Sequence, residues 1–154
     1  MSSTTTTGSE SSRSVLRPSW DAYFLDFADV AARRATCPKR AVGAVLVRQN
    51  RIIGTGYNGA PPGLPHCGEI GCQKIDGGRC GRAVHAEANA LLFATRETAG
   101  ATIYLTAHPC SNCARLLIAA GITRVVYRDN DKPYIDTQAE NLLREATVRR
   151  LCRR

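Results

Sequence analysis

The stretch "ATIYLTAHPCSNCARLLIAAGITRVVYR", residues 101–128, contains a complete strand, helix and strand. Its first seven and last five residues have the apolar, β-branched character of buried strands. Between them, Pro109 stands at the start of a predicted helix from Cys110 to Ala120, and Gly121 ends that helix. The links are short, so the stretch predicts two parallel strands joined by a right-handed crossover.

Elements with the same apolar character lie on both sides of this unit. The segments "AVGAVLV" (41–47) and "RIIGTGY" (51–57) predict the two strands of a hairpin, because only a short polar link separates them. Ser19 is a predicted helix N-cap, with Trp20, Phe24 and Phe27 following at helical spacing. The other predicted helices run from about His85 to Arg96 and from Asp136 to Ala146.

The segment 59–82 has no sustained periodicity. It holds seven glycines, three prolines and three cysteines. Such a composition cannot order itself by burying apolar surface alone. We therefore expect other interactions to hold this loop.

Length and charge limit the classes of function. The chain has 154 residues, which suits one domain, and 21 Lys and Arg against 13 Asp and Glu give a net charge of +8. Much of this excess lies in 149–154, which we interpret as a basic, solvated end in preference to an arm that binds nucleic acid. A phosphorylated small molecule would also suit this charge.

The N-terminal composition bears on localisation. Residues 1–18 are predicted to be a disordered Ser/Thr-rich tail, which leaves 19–148 as the domain. We find no apolar run suited to a signal peptide or a bilayer span. Seven cysteines in this context favour metal ligation or catalysis in a reducing compartment. The expectation is a soluble, cytoplasmic protein without a membrane partner.

Four residues near the starts of two predicted helices suggest a catalytic metal site. Cys110 and Cys113 are three residues apart, so their thiols face the same way at a helix end that favours thiolates. His85 opens the preceding helix, and Glu87 can enter the same cavity without ligating the metal. Three protein ligands leave a tetrahedral zinc ion one open position, as catalysis requires.

Other roles exist for each of these residues taken separately. A lone His at a helix start is usually a surface or capping residue, and Cys-x-x-Cys is often a structural zinc half-site or a redox pair. The redox reading is weak because that motif normally follows a strand directly and needs no upstream His-x-Glu. The combined pattern, His-x-Glu followed by Pro-Cys-x-x-Cys, is the signature of zinc deaminases.

The chain resembles the deoxycytidylate (dCMP) deaminases of the cytidine deaminase superfamily from about Trp20 to Ala146. The stretches that carry the likeness are "CPKRAVGAVLV", "GTGYNGAPPGLPHCGEIGC", "CGRAVHAEANALLFATR", "GATIYLTAHPCSNCARLLIAAGITRVVY" and, more weakly, "DKPY". The zinc motif indicates the superfamily, whereas "GYNGAPPG" with a Cys-bearing insert before His-Ala-Glu indicates dCMP deaminases. One departure is His108, before the Pro, where the family often has an aromatic or small residue.

The resemblance implies an α/β fold, a three-layer α/β/α sandwich around a mixed five-stranded sheet. It also implies hydrolysis of dCMP to dUMP and ammonia, which supplies the precursor of dTMP. Zinc on His85, Cys110 and Cys113 would lower the pKa of a bound water toward ~7. Glu87 would take a proton from that water to N3 of the pyrimidine, and a second proton to the departing amine.

Several substrate contacts are implied by the resemblance. Asn58 is the family's contact to the sugar, although a turn residue before a glycine is its alternative role. Arg40 is the first choice for the 5′-phosphate, with Lys39 and Tyr134 weaker ones, and a solvated charge or surface group is an equal alternative for each. Ala86 is the remaining predicted substrate-site residue.

The resemblance also implies regulation. The family often forms hexamers activated by dCTP and inhibited by dTTP, so a homo-oligomer is expected, with Mg²⁺ accompanying a regulatory nucleotide. The corresponding interface or allosteric positions are Gly59, Gly63, Phe93 and Arg96, with packing or surface solvation as the alternative.

A second, structural zinc site is predicted in the loop. Cys67, Cys72 and Cys80 lie in it, and the hairpin brings Cys37 close to where the loop emerges, with His66 able to replace one cysteine. Some members of the resembled family carry such a second zinc with variable ligands. Buried or free thiols are the alternative.

Two further functions compete with dCMP deamination. One is a deaminase acting on bases within nucleic acid, such as tRNA adenosine, for which the basic C-terminus is the support. The other is a non-catalytic zinc protein that binds a partner, in which Glu87 would be incidental. The sequence leaves the choice between dCMP and dCTP open.

Overall fold

The computed structural model describes residues 16–128 and 135–153. In chain order, the strands are β1 (Gly43–Arg48), β2 (Arg51–Tyr57), β3 (Thr102–Leu105), β4 (Arg124–Arg128) and β5 (Arg149–Arg153). The helices are α1 (Trp20–Ala32), α2 (Cys67–Ile70), α3 (Ala86–Leu92), α4 (Ser111–Ala119) and α5 (Thr137–Glu145), with a 3-10 turn at Asp76–Gly78.

The strands form one mixed sheet in the order β2, β1, β3, β4, β5. β1 is antiparallel to both β2 and β3, which confirms the predicted hairpin. β3 and β4 are parallel and are connected through α4, as the stretch 101–128 predicts. β4 and β5 are also parallel. The predicted five-stranded sheet is therefore confirmed.

Each face of the sheet is covered by helices. Along β1, Ala44 and Leu46 belong to one buried cluster, and Val45 and Val47 belong to another, because successive side chains in a strand point to opposite faces. The first cluster contains residues of α3, α4 and α5, and the second contains residues of α1. These layers confirm the predicted α/β/α sandwich.

A buried carboxylate fastens α1 to the sheet. The Ser19 hydroxyl caps α1 by accepting the Ala22 N–H, as predicted. Asp21 in the first turn accepts two hydrogen bonds of 2.8 Å from Arg124 and one of 3.0 Å from Arg153. The Tyr104 hydroxyl donates a further bond of 3.0 Å. One carboxylate therefore joins α1 to three strands.

The structure differs from the predicted domain boundary at residue 148. Residues 149–153 are an edge strand of the sheet, and within them Leu151 packs against the α1 cluster. The arginine stems can lie on apolar surface while their guanidinium groups pair with carboxylates, which hides the strand character of this segment in the sequence. Residues 1–15, predicted to be disordered, and Arg154 lie outside the described part.

Two glycines of β2 allow α3 to lie unusually close to the sheet. A Cβ atom added at Gly56 would lie 2.1 Å from the Ala86 carbonyl oxygen, and one at Gly54 would lie 2.6 Å from that of Ala90. Both contacts are with backbone atoms, which cannot easily move away. The first turn of α3 is therefore positioned by direct backbone approach to β2.

The helix α3 ends at Leu92, earlier than the predicted Arg96. The chain leaves the helix because the Thr95 N–H and hydroxyl both bond to the Ile53 carbonyl, at 2.7 and 3.1 Å.

Among the described residues, no helix combines the length and apolar character needed to cross a bilayer.

Candidate metal centre and active site

The predicted zinc ligands lie at the beginnings of two neighbouring helices. His85 is the N-cap residue of α3, and Cys110 is the N-cap residue of α4. The Cys110 thiol accepts the backbone N–H of Cys113 at 3.5 Å. Capping thus fixes the direction of one sulfur, while the first turn of α4 places the second sulfur beside it.

The three side chains form a cluster with the dimensions of a zinc site. The Nδ1 atom of His85 lies 3.5 Å from Sγ of Cys110 and 3.4 Å from Sγ of Cys113. All three ligand atoms lie within 4.8 Å of one another. Nitrogen and sulfur ligands on a tetrahedral zinc ion are separated by about 3.5 Å. These residues, called the metal centre below, therefore fit zinc.

The electrostatics of the metal centre favour a cation. The hydrogen bond from Cys113, with help from His85, lowers the pKa of Cys110 to about 4. The same contact with Cys110, together with burial, raises the pKa of Cys113. Because cysteine binds zinc as the thiolate, binding of a metal ion at this pair releases thiol protons.

Glu87 lies beside the metal centre without belonging to it. It sits in the first turn of α3 and is 4% exposed. Burial raises the pKa of its carboxyl group, and nearby His85 partly offsets this rise. A carboxyl group with a raised pKa can both hold and release a proton near neutral pH. This is the property expected of the predicted general acid and base.

The metal centre and Glu87 open into a cavity of about 650 Å³. This volume is within the range of sites for small molecules. His85 is exposed, Cys110 is half-buried and Cys113 is buried, so one side of the centre faces the opening. Three arginines from separate segments also line the cavity: Arg40, Arg79 and Arg115. The cavity thus combines a metal-binding floor with cations suited to a phosphate.

Among the predicted substrate-site residues, three line this cavity: Arg40, Asn58 and Ala86. The Asn58 side chain accepts the Val42 N–H and donates to the Arg40 carbonyl, both at 2.8 Å. Asn58 therefore fixes the segment that carries Arg40. Lys39 is exposed and is not among the lining residues. Tyr134 lies outside the described residues.

The four positions predicted for regulation or assembly are not among the residues that line the cavity. Phe93 directly follows α3 and is 63% exposed, and Arg96 is exposed nearby. Gly59 is buried and pairs with Val84 in an isolated β-bridge. Gly63 is exposed, with a φ of 84°. An exposed aromatic ring is compatible with a subunit contact but does not identify one.

The ligands predicted for a second zinc are only partly brought together. The Cys80 thiol contacts that of Cys67 and accepts the Ala83 N–H at 3.3 Å. Cys37 is half-buried at the cavity, whereas Cys72 and His66 are exposed. Within the described part of the chain, the metal centre is the one group of three or more candidate ligands at metal-binding distance.

Two arginines that line the cavity, Arg79 and Arg115, are not among the site residues predicted from the sequence. Arg79 lies in a small hairpin of the loop, formed by the Lys74 and Cys80 bridge and by the Ile75 N–H bonding to the Arg79 carbonyl at 2.9 Å. No local pattern in a Gly-rich loop indicates this pairing. The position of Arg115 at the cavity can be inferred from the sequence, because Arg115 lies four residues after Ser111. It therefore shares the face of α4 that begins beside Cys110.

Comparisons with known proteins agree with this geometry. The family model of the cytidine and deoxycytidylate deaminase zinc-binding region matches residues 18–129. The deoxycytidylate deaminase of Mycobacterium phage D29 is 49% identical over 123 residues, covering 72% of this chain and 95% of the phage protein. That of Schizosaccharomyces pombe is 44% identical over 141 residues, covering 86% of this chain but only 43% of its own length.

A solved structure supports the same relationship. The crystal structure of the dCMP deaminase from cyanophage S-TIM5, in complex with dCMP and dUMP, matches with a TM-score of 0.76 and 26% identity. The match covers 90% of this chain and 99% of the phage chain. Because the family model covers both ligand-bearing helices and the strands β1 to β4, the chain belongs to the cytidine and deoxycytidylate deaminase family.

Proposed function

We propose that this protein catalyses the zinc-dependent hydrolysis of dCMP to dUMP and ammonia. The observation that carries the proposal is the placement of Glu87, buried but not a ligand, beside the His85, Cys110 and Cys113 cluster in one open cavity. A purely structural zinc site would need a fourth protein ligand and no cavity. The product dUMP would supply the precursor of dTMP.

The residues of the cavity have separate roles in this reaction. When bound, zinc supplies a water of lowered pKa. Glu87 takes the proton of that water on a carboxylate oxygen and delivers it to N3 of the pyrimidine. The same carboxyl group then carries a second proton, taken from the oxygen that has added to C4, to the amine, which departs as ammonia when the C4–N bond breaks. Burial favours these transfers, because it raises the pKa of Glu87 from its ordinary value.

The arginines of the cavity favour a phosphorylated substrate. Arg40, Arg79 and Arg115 line the cavity from three parts of the chain: the segment before β1, the loop hairpin and α4. Arginine suits phosphate oxygens because its guanidinium group donates several hydrogen bonds in one plane. The Asn112 side chain also orients Arg115, because its amide oxygen accepts a hydrogen bond from Nη2–H of Arg115. We assign the 5′-phosphate to this group.

The relatives support the choice of substrate. The D29 and fission yeast proteins carry the name deoxycytidylate deaminase, and the S-TIM5 enzyme was crystallised with dCMP and dUMP. Assembly into a homo-oligomer, with a hexamer favoured, and regulation by dCTP and dTTP with Mg²⁺ belong to the same proposal. Their support is the exposed Phe93 and the family resemblance. A second zinc in the loop has the contact between Cys67 and Cys80 as its support.

An ammonia-release assay tests the proposal. Purified zinc-loaded protein would be given dCMP, dCTP, deoxycytidine, CMP and an adenosine-bearing RNA hairpin in parallel. We expect the highest kcat/KM with dCMP, and an Arg79→Ala, Arg115→Ala variant should lose the preference for dCMP over deoxycytidine. Deamination of the hairpin but not of dCMP would favour the nucleic-acid function. Release of no ammonia from any substrate would favour a non-catalytic zinc protein.

A further inference from the structure

A series of polar contacts through Glu140 and His108 joins the arginine-rich C-terminal strand to the active-site cavity. Nη1 of Arg150 lies 3.0 Å from a carboxylate oxygen of Glu140 and donates to the Glu140 backbone carbonyl at 2.7 Å. Arg150 thus holds both the backbone and the side chain of one residue in α5. Neighbouring Arg149 is exposed. The two arginines therefore have different surroundings on the same strand.

The second oxygen of Glu140 continues the chain toward the cavity. It lies 2.6 Å from Nε2 of His108. The other ring nitrogen of His108 accepts the Asp136 N–H at 3.5 Å, which leaves Nε2 as the donor to Glu140. The ring of Tyr127 packs edge-on against His108 at 5.0 Å between centroids. His108 is buried and lines the cavity, so its ring is fixed on several sides.

The polar contacts also reach the start of α4, through Asp136. Asp136 caps α5 by accepting the Ala139 N–H at 3.0 Å, and its other oxygen accepts the Ser111 N–H at 2.8 Å. His108 and Ser111 lie on either side of Cys110 in the sequence, and each forms a hydrogen bond with Asp136. The segment that carries one metal ligand is held at both ends.

We propose that Arg150, Glu140 and His108 are positioning residues that hold Cys110 in ligand geometry through the 108–111 segment. The inference rests on the proposed function only in taking Cys110 as a zinc ligand. Residues that orient metal ligands from outside commonly affect metal affinity or activity about 10- to 100-fold when they are changed. Arg150 is accordingly the residue through which the C-terminal strand supports the active site.

The experiment measures how fast zinc leaves the holoenzyme. Arg150→Ala, Arg150→Lys and Glu140→Gln would each be mixed with an excess of a chromophoric chelator, and zinc transfer would be followed over time. We expect release about tenfold faster in Arg150→Ala and Glu140→Gln. Arg150→Lys keeps a cation near Glu140 and should recover most of the difference. Arg149→Ala, on the same strand, should release zinc at the wild-type rate.

Melting temperature and steady-state kinetics accompany the release measurement. A role in positioning predicts a lower kcat per zinc-loaded chain with little change in KM for dCMP. Wild-type zinc release and kcat in Arg150→Ala and Glu140→Gln, whether or not the melting temperature falls, would overturn the inference. The release rate needs no substrate, so the inference can fail or stand independently of whether the wild-type protein deaminates dCMP.

Discussion

Nδ1 of His85 and Sγ of Cys113 lie 3.4 Å apart although 28 residues separate them in the chain. The histidine precedes α3 and the cysteine lies in the first turn of α4. β3 lies between these helices in the chain and delivers the second helix beside the first. The succession α3, β3, α4 therefore assembles the metal centre.

Removal of one ligand should remove the metal. We expect His85→Ala and Cys110→Ala each to lose the catalytic zinc and the deaminase activity, because two remaining ligands hold zinc poorly. Elemental analysis and activity of the purified variants provide the measurement. Cys152→Ser, in β5, is the control and should keep both. A zinc-loaded, active His85→Ala protein would show that the ligand set is wrong.

The Asp21 cluster should contribute to stability with a defined dependence on pH. Hydrogen bonds from Arg124 lower the pKa of Asp21 from 3.8 to about 2. Because the folded-state pKa is depressed, the stabilisation is present above the unfolded value and is lost as pH falls from 3.8 toward 2. We expect Asp21→Asn to lower the free energy of unfolding by about 2 kcal/mol at pH 7.

Urea denaturation at pH 7 and at pH 3 measures this contribution. The difference between wild type and Asp21→Asn should shrink at the lower pH. Asp26→Asn is the control, because Asp26 is exposed and shares Arg128 with Asp29, so its loss should cost under about 1 kcal/mol. An equal, pH-independent effect of both substitutions would contradict the assignment.

The close approach of β2 to α3 should make Gly56 irreplaceable. An alanine Cβ at this position would lie 2.1 Å from the Ala86 carbonyl oxygen, so the first turn of α3 would have to move. We expect Gly56→Ala to lose at least about 1–3 kcal/mol of stability, with reduced turnover since that turn carries Glu87. Gly68→Ala meets no atom within 4 Å and should be neutral. Equal denaturation midpoints would refute the packing argument.

Counting zinc ions tests the loop. The predicted second site requires about two zinc ions per metal-replete chain, falling to about one in a Cys67→Ser, Cys80→Ser variant, because these thiols make the contact that supports the site. Elemental analysis against protein concentration gives the number. One zinc ion per fully active chain, unchanged in the variant, would leave Cys67 and Cys80 as ordinary thiols.

The sequence predicts those features that depend on local patterns. The bounds of β2 and β4 agree with the apolar runs 51–57 and 124–128, and Ser19 caps α1. The metal ligands follow from helix starts and spacing. These signals require only neighbours in the chain, and so they are readable without the fold.

Features that depend on distant partners were not predictable in this way. The sequence of β5 has the composition of a charged chain end, because the carboxylates that pair with its arginines lie far away in the chain. Arg153, for example, bonds to Asp21, 132 residues away. α3 ends early because Thr95 donates its backbone N–H to the Ile53 carbonyl in β2. The contribution of Arg79 to the cavity depends on a hairpin inside a loop without periodicity. In each case a tertiary contact overrides the local pattern.

The central claim is that Glu87 transfers protons at the metal centre without ligating the metal. The most direct measurement is zinc content together with dCMP turnover in Glu87→Gln, which preserves the size of the side chain. We predict wild-type zinc content and a loss of turnover of at least about 100-fold. Loss of zinc equal to that in His85→Ala, or wild-type turnover with zinc retained, would contradict the account.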